Sequence, residues 1–208
     1  LRYDFFPKRN NGDMFSVTGY FKKLKSPIEQ TQESSGGTVI RSFRNAEDGI
    51  ATGVEIEFRK ELFKNLRIGA NGSYMYTNVI LPEGGVYTDS ERALQGASPF
   101  LINADISYTP QLRGESDLTL ALVYNVQGPR IETVGIYGTG NIKQQTLHTM
   151  DFIASYAINK HLNLRLQMKD LLNSTIRFKQ ELPATGQKVE VESFRPGTNA
   201  EIGVSYRF

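Results

Sequence analysis

The chain has 208 residues, 24 basic against 22 acidic, for a formal net charge of +2. So balanced a charge supplies no field to hold nucleic acid, and with no cysteine there are no disulfides or thiolate metal sites. No run approaches the roughly 18 apolar residues of a membrane-spanning helix, and no basic-then-apolar leader opens the chain.

Alternation begins at once, as expected of a piece whose N-terminal portion lies elsewhere. "LRYDF" sets Leu1, Tyr3 and Phe5 on one side, and "MFSVTGYF" does the same with Phe15, Val17, Gly19 and Phe21. "GVEIEFR" places Val54, Ile56 and Phe58 against Glu55, Glu57 and Arg59. "LRIGANGSYMY" and "FLINADISY" follow, the latter with Phe100, Ile102, Ala104, Ile106 and Tyr108 against Asn103, Asp105 and Ser107. "DLTLALVYN", "TMDFIASYAI" and "LNLRLQMK" repeat the pattern. The ninth segment, "NAEIGVSYRF", alternates to its last residue, with Ala200, Ile202, Val204, Tyr206 and Phe208 on one face. A period of two with full charges on the polar side predicts strands of a sheet with one apolar and one wet face.

The connections sort by length. "PKRNNGD", "KELFKN", "PQLRGES" and "NKH" are short and rich in turn formers, and they alternate with four long stretches. Short turns at one end and long loops at the other are the habit of outer-membrane barrels, whose short turns are periplasmic. The segments run about 8–11 residues, near the ~9–11 of a tilted transmembrane strand. Tyr74, Tyr76, Tyr108 and Tyr124 sit toward strand ends, where an interfacial girdle would hold them. In hydrocarbon only a closed barrel satisfies the backbone of strands, and bacterial single-chain barrels are even-numbered. Nine strands are therefore expected to be an arc of a larger antiparallel transmembrane β-barrel, with residues 1–208 as one structural unit. A charge at Leu120 or Leu164 is expected to cost ~2–4 kcal/mol if these side chains face lipid at the midplane.

Three stretches carry a family resemblance. "RNAEDGIATGVEIEFRK" holds Asn45, Gly53 and Glu55; "RALQGASPFLINADISY" holds Arg92, Leu94, Gly96, Pro99 and Asn103; "LNLRLQMKDLLNSTIRFKQ" precedes the terminal "SYRF". Together they resemble the TonB-dependent outer-membrane receptors, particularly the large ones of Bacteroidota-type bacteria. The resemblance implies a 22-stranded barrel closed by an N-terminal plug, of which this chain is the C-terminal arc. It also implies active uptake of a bulky nutrient (a siderophore-bound iron, a glycan or a peptide), energised through a TonB contact upstream. Implied partners are outer-membrane lipids, the plug, the TonB complex, the barrel-assembly machinery and a surface lipoprotein. Val204, Tyr206 and Phe208 then resemble the C-terminal signal read by that machinery.

Specific chemistry is sparse in the sequence. His148, Asp151 and Ser155 suggest a hydrolytic triad, but parity puts His148 with Met150 and Phe152 and the other two opposite, beyond the reach a general base needs. His161 falls in a turn. No metal-ligand motif or cofactor loop is present: "GGTV", "EGGV" and "GTGN" lack the strand-to-helix setting of a phosphate loop and read as hinges. Glu55, Glu57, Arg59, Arg67, Arg165 and Lys169 read as a solvated inner wall. Ligand contacts are expected from Tyr87, Arg92, Arg130 and Tyr137 in the long loops, Arg92 also having a structural role to play in its motif. "DLLN" (Asp170 to Asn173) breaks the alternation and predicts a bulge where a strand leaves the membrane band. The rival readings are a soluble all-β adhesin, which must bury its apolar faces in a sandwich core, and a small outer-membrane barrel hydrolase.

Overall fold

The structure is a computed structural model that describes residues 1–7, 12–35, 38–81, 87–112 and 116–208, without the side chains of residues 30–41. The glycine pairs Gly36–Gly37 and Gly84–Gly85, expected as hinges, lie outside the described residues. In chain order the strands are β1 (Arg2–Phe5), β2 (Met14–Lys25), β3 (Ile28–Ser35), β4 (Thr38–Asn45), β5 (Asp48–Phe63) and β6 (Leu66–Ile80). There follow β7 (Glu91–Arg92), β8 (Phe100–Tyr108), β9 (Asp117–Gln127), β10 (Arg130–Thr133) and β11 (Ile142–Gln144). Last come β12 (Leu147–Ala157), β13 (Leu162–Lys169), β14 (Ile176–Glu181), β15 (Lys188–Phe194) and β16 (Asn199–Tyr206).

The nine alternating segments form one antiparallel meander in the order β1-β2-β5-β6-β8-β9-β12-β13-β16, with β1 and β16 as its edges. The fold is all-β, as the periodicity requires. Register carries the alternation across the whole sheet, because a one-residue slip would turn a strand's apolar side chains to the wrong face. One row reads Tyr3, Val17, Ile56, Gly72, Ile102 and Val126. Another reads Leu122, Phe152, Met168 and Ala200. The opposite face has Asp4, Ser16, Glu57, Asn71, Asn103, Asn125 and Thr149 in a single row. There the Asn103 amide donates to Asn71 Oδ1 at 2.7 Å, and Arg59 pairs with Glu57 at 2.6 Å.

No described residue covers the apolar face. Ile56, Ile102, Ile106, Leu122, Ile202 and Val204 are all exposed, and the buried hydrophobics among the described residues lie at the loop end and its margin. A soluble sandwich would pack that face against a second sheet; an uncovered apolar face of this extent belongs against another apolar phase.

Turn chemistry explains the tight end. Lys64 and Asn65 alone join β5 to β6, with Asn65 at φ 71° and a bulge between Glu61 and Phe63. Asparagine tolerates the left-handed region better than other side-chain-bearing residues do. Gly53 answers a different demand: Tyr20 lies directly across from it, and a Cβ there would meet the Tyr20 hydroxyl at 2.6 Å and the Tyr74 carbonyl oxygen at 2.5 Å. The glycine of this motif makes room for an aromatic ring on the polar face.

The long connections hold strands of their own. β3 pairs with β4 in a hairpin rising from β2 and β5, and β7 pairs with β6. The four-stranded order β10-β11-β14-β15 repeats that of β9, β12, β13 and β16, each short strand adjoining its longer counterpart in the chain. The upper sheet is thus the wall continued past a break. At that break stand Gly128–Pro129, residues 145–146, "DLLN" and Pro196–Gly197. Asp170 and Asn173 adopt φ 50° and 49°, and the Asp170 carboxylate accepts the Ser174 N–H at 3.0 Å. The expected bend after Met168 is therefore an Asx-stabilised turn between two tiers of one wall.

Candidate functional site: the folded loop end

The loop end is a packed structure. Val79 is fully buried with Ala46 and Leu81, and Tyr87 and Leu94 pack against them. Backbone bonds tie the connections together: Glu47 N–H to Ile80 O, Leu81 N–H to Ser90 O, Gly96 N–H to Ile131 O. The Leu94 N–H reaches Thr77 Oγ1 at 3.0 Å.

At its centre Arg92 meets Glu29 in a two-pronged ion pair, Nη1 to Oε1 at 3.0 Å and Nη2 to Oε2 at 2.6 Å. Both side chains are almost sealed, 4% and 2% exposed. Glu29 Oε1 also accepts the Gln95 N–H at 3.4 Å. The planar fork of arginine matches a carboxylate, and out of water each charge depends on the other. The pair clamps the β2–β5 connection to the β6–β8 connection across 63 positions. Arg92 forms this clamp and also lines the cleft that holds Arg130, so both of its expected roles stay open to it.

The other residues expected at the ligand divide into two places. Arg130 lines a cleft of about 550 Å³ together with Tyr74, Tyr76, Glu91 and Lys143, and its Nε donates to Gln144 Oε1 at 2.9 Å. Tyr87 forms a backbone bridge with Ile136, bringing it beside the exposed Tyr137, whose φ is 52°; neither tyrosine lines the cleft. Sequence reasoning missed Glu29, Asp89, Glu91 and Lys143. Nothing in their spacing marks them, since their neighbours come from distant connections.

The tempting triad does not assemble. His148 Nδ1 bonds the Tyr124 hydroxyl at 2.7 Å on the apolar face, while Asp151 accepts the Asp170 N–H and Ser155 bonds Asn163. At the other end of the sheet, Val204 pairs with Leu164 and Tyr206 with Leu162. The Tyr206 ring stacks on His161 with centroids 6.0 Å apart and meets Phe208 edge-on at 5.2 Å. The strand proper ends at Tyr206, but the ladder continues through Arg207 N–H to His161 O at 2.8 Å.

Neither a curated protein nor a solved structure matches the chain. A profile of the Outer membrane protein beta-barrel family matches residues 1–206. With that match spanning nearly the whole sequence, and with a meander whose apolar face is bare and whose long loops gather at one end, the chain belongs to the outer membrane protein β-barrel family of the bacterial outer membrane.

Proposed function

We propose that this chain is the C-terminal arc of a TonB-dependent receptor, forming barrel wall and ligand-gathering mouth for active import of a bulky nutrient. One observation carries the reading: two long connections extend the wall into a second tier, and the other two are locked to each other by the buried Arg92–Glu29 pair. A preformed mouth loses less ordering entropy when it takes a large ligand. On this reading the apolar face meets lipid, the loop end is extracellular and the C-terminus is periplasmic.

Strand direction supports the larger barrel. Nine antiparallel neighbours leave β1 and β16 running the same way, so they cannot close on each other antiparallel. An odd number of further strands is needed, and the thirteen that complete a 22-stranded plugged transporter meet that condition. The plug and the TonB contact would lie in that remainder, with the assembly machinery reading Val204, Tyr206 and Phe208 and a lipoprotein able to cap the mouth.

The test is uptake by cells producing the full-length protein, offered labelled ferric chelates, oligosaccharides and peptides, with and without the inner-membrane energising protein. One class is expected to accumulate only when both proteins are present. Accumulation that ignores the energising protein would contradict the proposal, as would none in any class.

A further inference from the structure

The β3–β4 hairpin leaves the plane of the wall. The β2–β5 ladder runs up to Lys25 and Asp48, and Ser26, at φ 48°, then turns the chain into β3. Arg92, opposite Val79, lies on the polar face of β6, and Glu29 of the hairpin meets it there. Ala46 packs with Val79 and Leu81 on the same side. The hairpin therefore lies across the polar face, with Glu29 and Ala46 on its wall side and the sealed ion pair holding it in place.

Its other side is bare. Register sets Ile28 opposite Asn45 and Phe43 opposite residue 30, all on the side away from Glu29. Ile28 and Phe43 are 71% and 70% exposed. The outer edge of β4 is bare too, since β3 is its one strand partner among the described residues. The Ala46 N–H bonds Pro27 O at 2.8 Å. By antiparallel alternation Asn45 and Phe43 then turn their backbone N–H and C=O groups away from β3. Further strands of a barrel would cover the wall edges β1 and β16, but β4 stands off the wall and barrel closure does not reach it. Unpaired backbone groups along a strand edge, with apolar side chains beside them, recognise a second extended chain. An oligosaccharide or a small ferric chelate does not repeat N–H and C=O groups at strand spacing; a peptide does.

We propose that the imported nutrient is a peptide, an extended segment of which adds a strand to the free edge of β4, with alternate side chains against Phe43. The site rests on the chain being part of an importer, and its test separates the two. The full-length protein in nanodiscs is offered a library of random octapeptides and the same library N-methylated at every amide, and the retained peptides are measured by mass spectrometry. The unmodified library is expected to be retained about tenfold over the methylated one, the scale of two lost backbone hydrogen bonds. Phe43→Ser, at an exposed position that leaves the Arg92–Glu29 pair intact, should lower that retention about fivefold, the scale of partly burying one apolar side chain. Equal retention of the two libraries would overturn the site, as would retention unchanged in Phe43→Ser. Energised uptake of a chelate or an oligosaccharide with no peptide retained would also overturn it and leave the receptor standing.

Discussion

Replacing Leu122 with arginine is expected to cost about 2–4 kcal/mol of barrel stability, the scale of a cation forced to the bilayer midplane. Leu122 sits opposite Ile106 and Phe152, and Phe152 lies halfway between Tyr156 and His148 on β12. The eight residue steps between those two rim residues span about 26 Å along the strand. At the ~40° tilt of such barrels that is about 20 Å of height, close to a membrane's apolar band. Register also corrects an expectation from sequence. Leu164 shares its row with Tyr156 and Val204 at the short-turn rim, so Leu164→Arg should cost nearer 1 kcal/mol, because the penalty falls toward the interface. Leu120, one pair below Leu122, should fall between the two. Urea titration of the full-length protein refolded into lipid vesicles reads all three.

Arg92→Met is expected to destabilise the loop end by about 3–5 kcal/mol, since it strands the Glu29 carboxylate in a sealed site. The loss is local. Limited proteolysis of the full-length protein in membranes should cut within the β2–β5 and β6–β8 connections, while the wall strands stay protected. Pairing Arg92→Met with Glu29→Leu removes both charges and should recover most of the resistance, because an apolar pair of similar volume often matches a buried ion pair. A motif arginine that contacted ligand alone would leave the cleavage pattern unchanged.

The wall was legible in the sequence because each of its strands has one face toward an apolar phase. That condition enforces a strict period of two, and all nine alternating segments lie in the sheet. Above the membrane band the constraint lapses. β10, β11 and β14 meet no continuous apolar phase, so "RIET", "IKQ" and "IRFKQE" read as loop although they extend the same wall. For the same reason β5 starts at Asp48, five residues before the alternation that announced it. The loop-end site was hidden more deeply. Arg92 was marked by its motif, but its partner lies 63 positions away in another connection, and only the hairpin built on β2 and β5 brings the two together. The cleft needs residues from β6 and from two separate connections, and no local pattern encodes such a meeting.

A membrane wall of this kind must turn the face of Met150, Phe152, Ala154 and Tyr156 to lipid. These 208 residues hold no cysteine, so single cysteines can be placed from Met150 to Tyr156 in the full-length protein, with any cysteine elsewhere replaced by serine, and spin-labelled in native membranes. Labels at positions 150, 152, 154 and 156 are expected to collide with membrane-dissolved oxygen, and those at 151, 153 and 155 with a water-soluble nickel chelate. Uniform accessibility along β12, or the opposite phase, would contradict a membrane wall with this face outward.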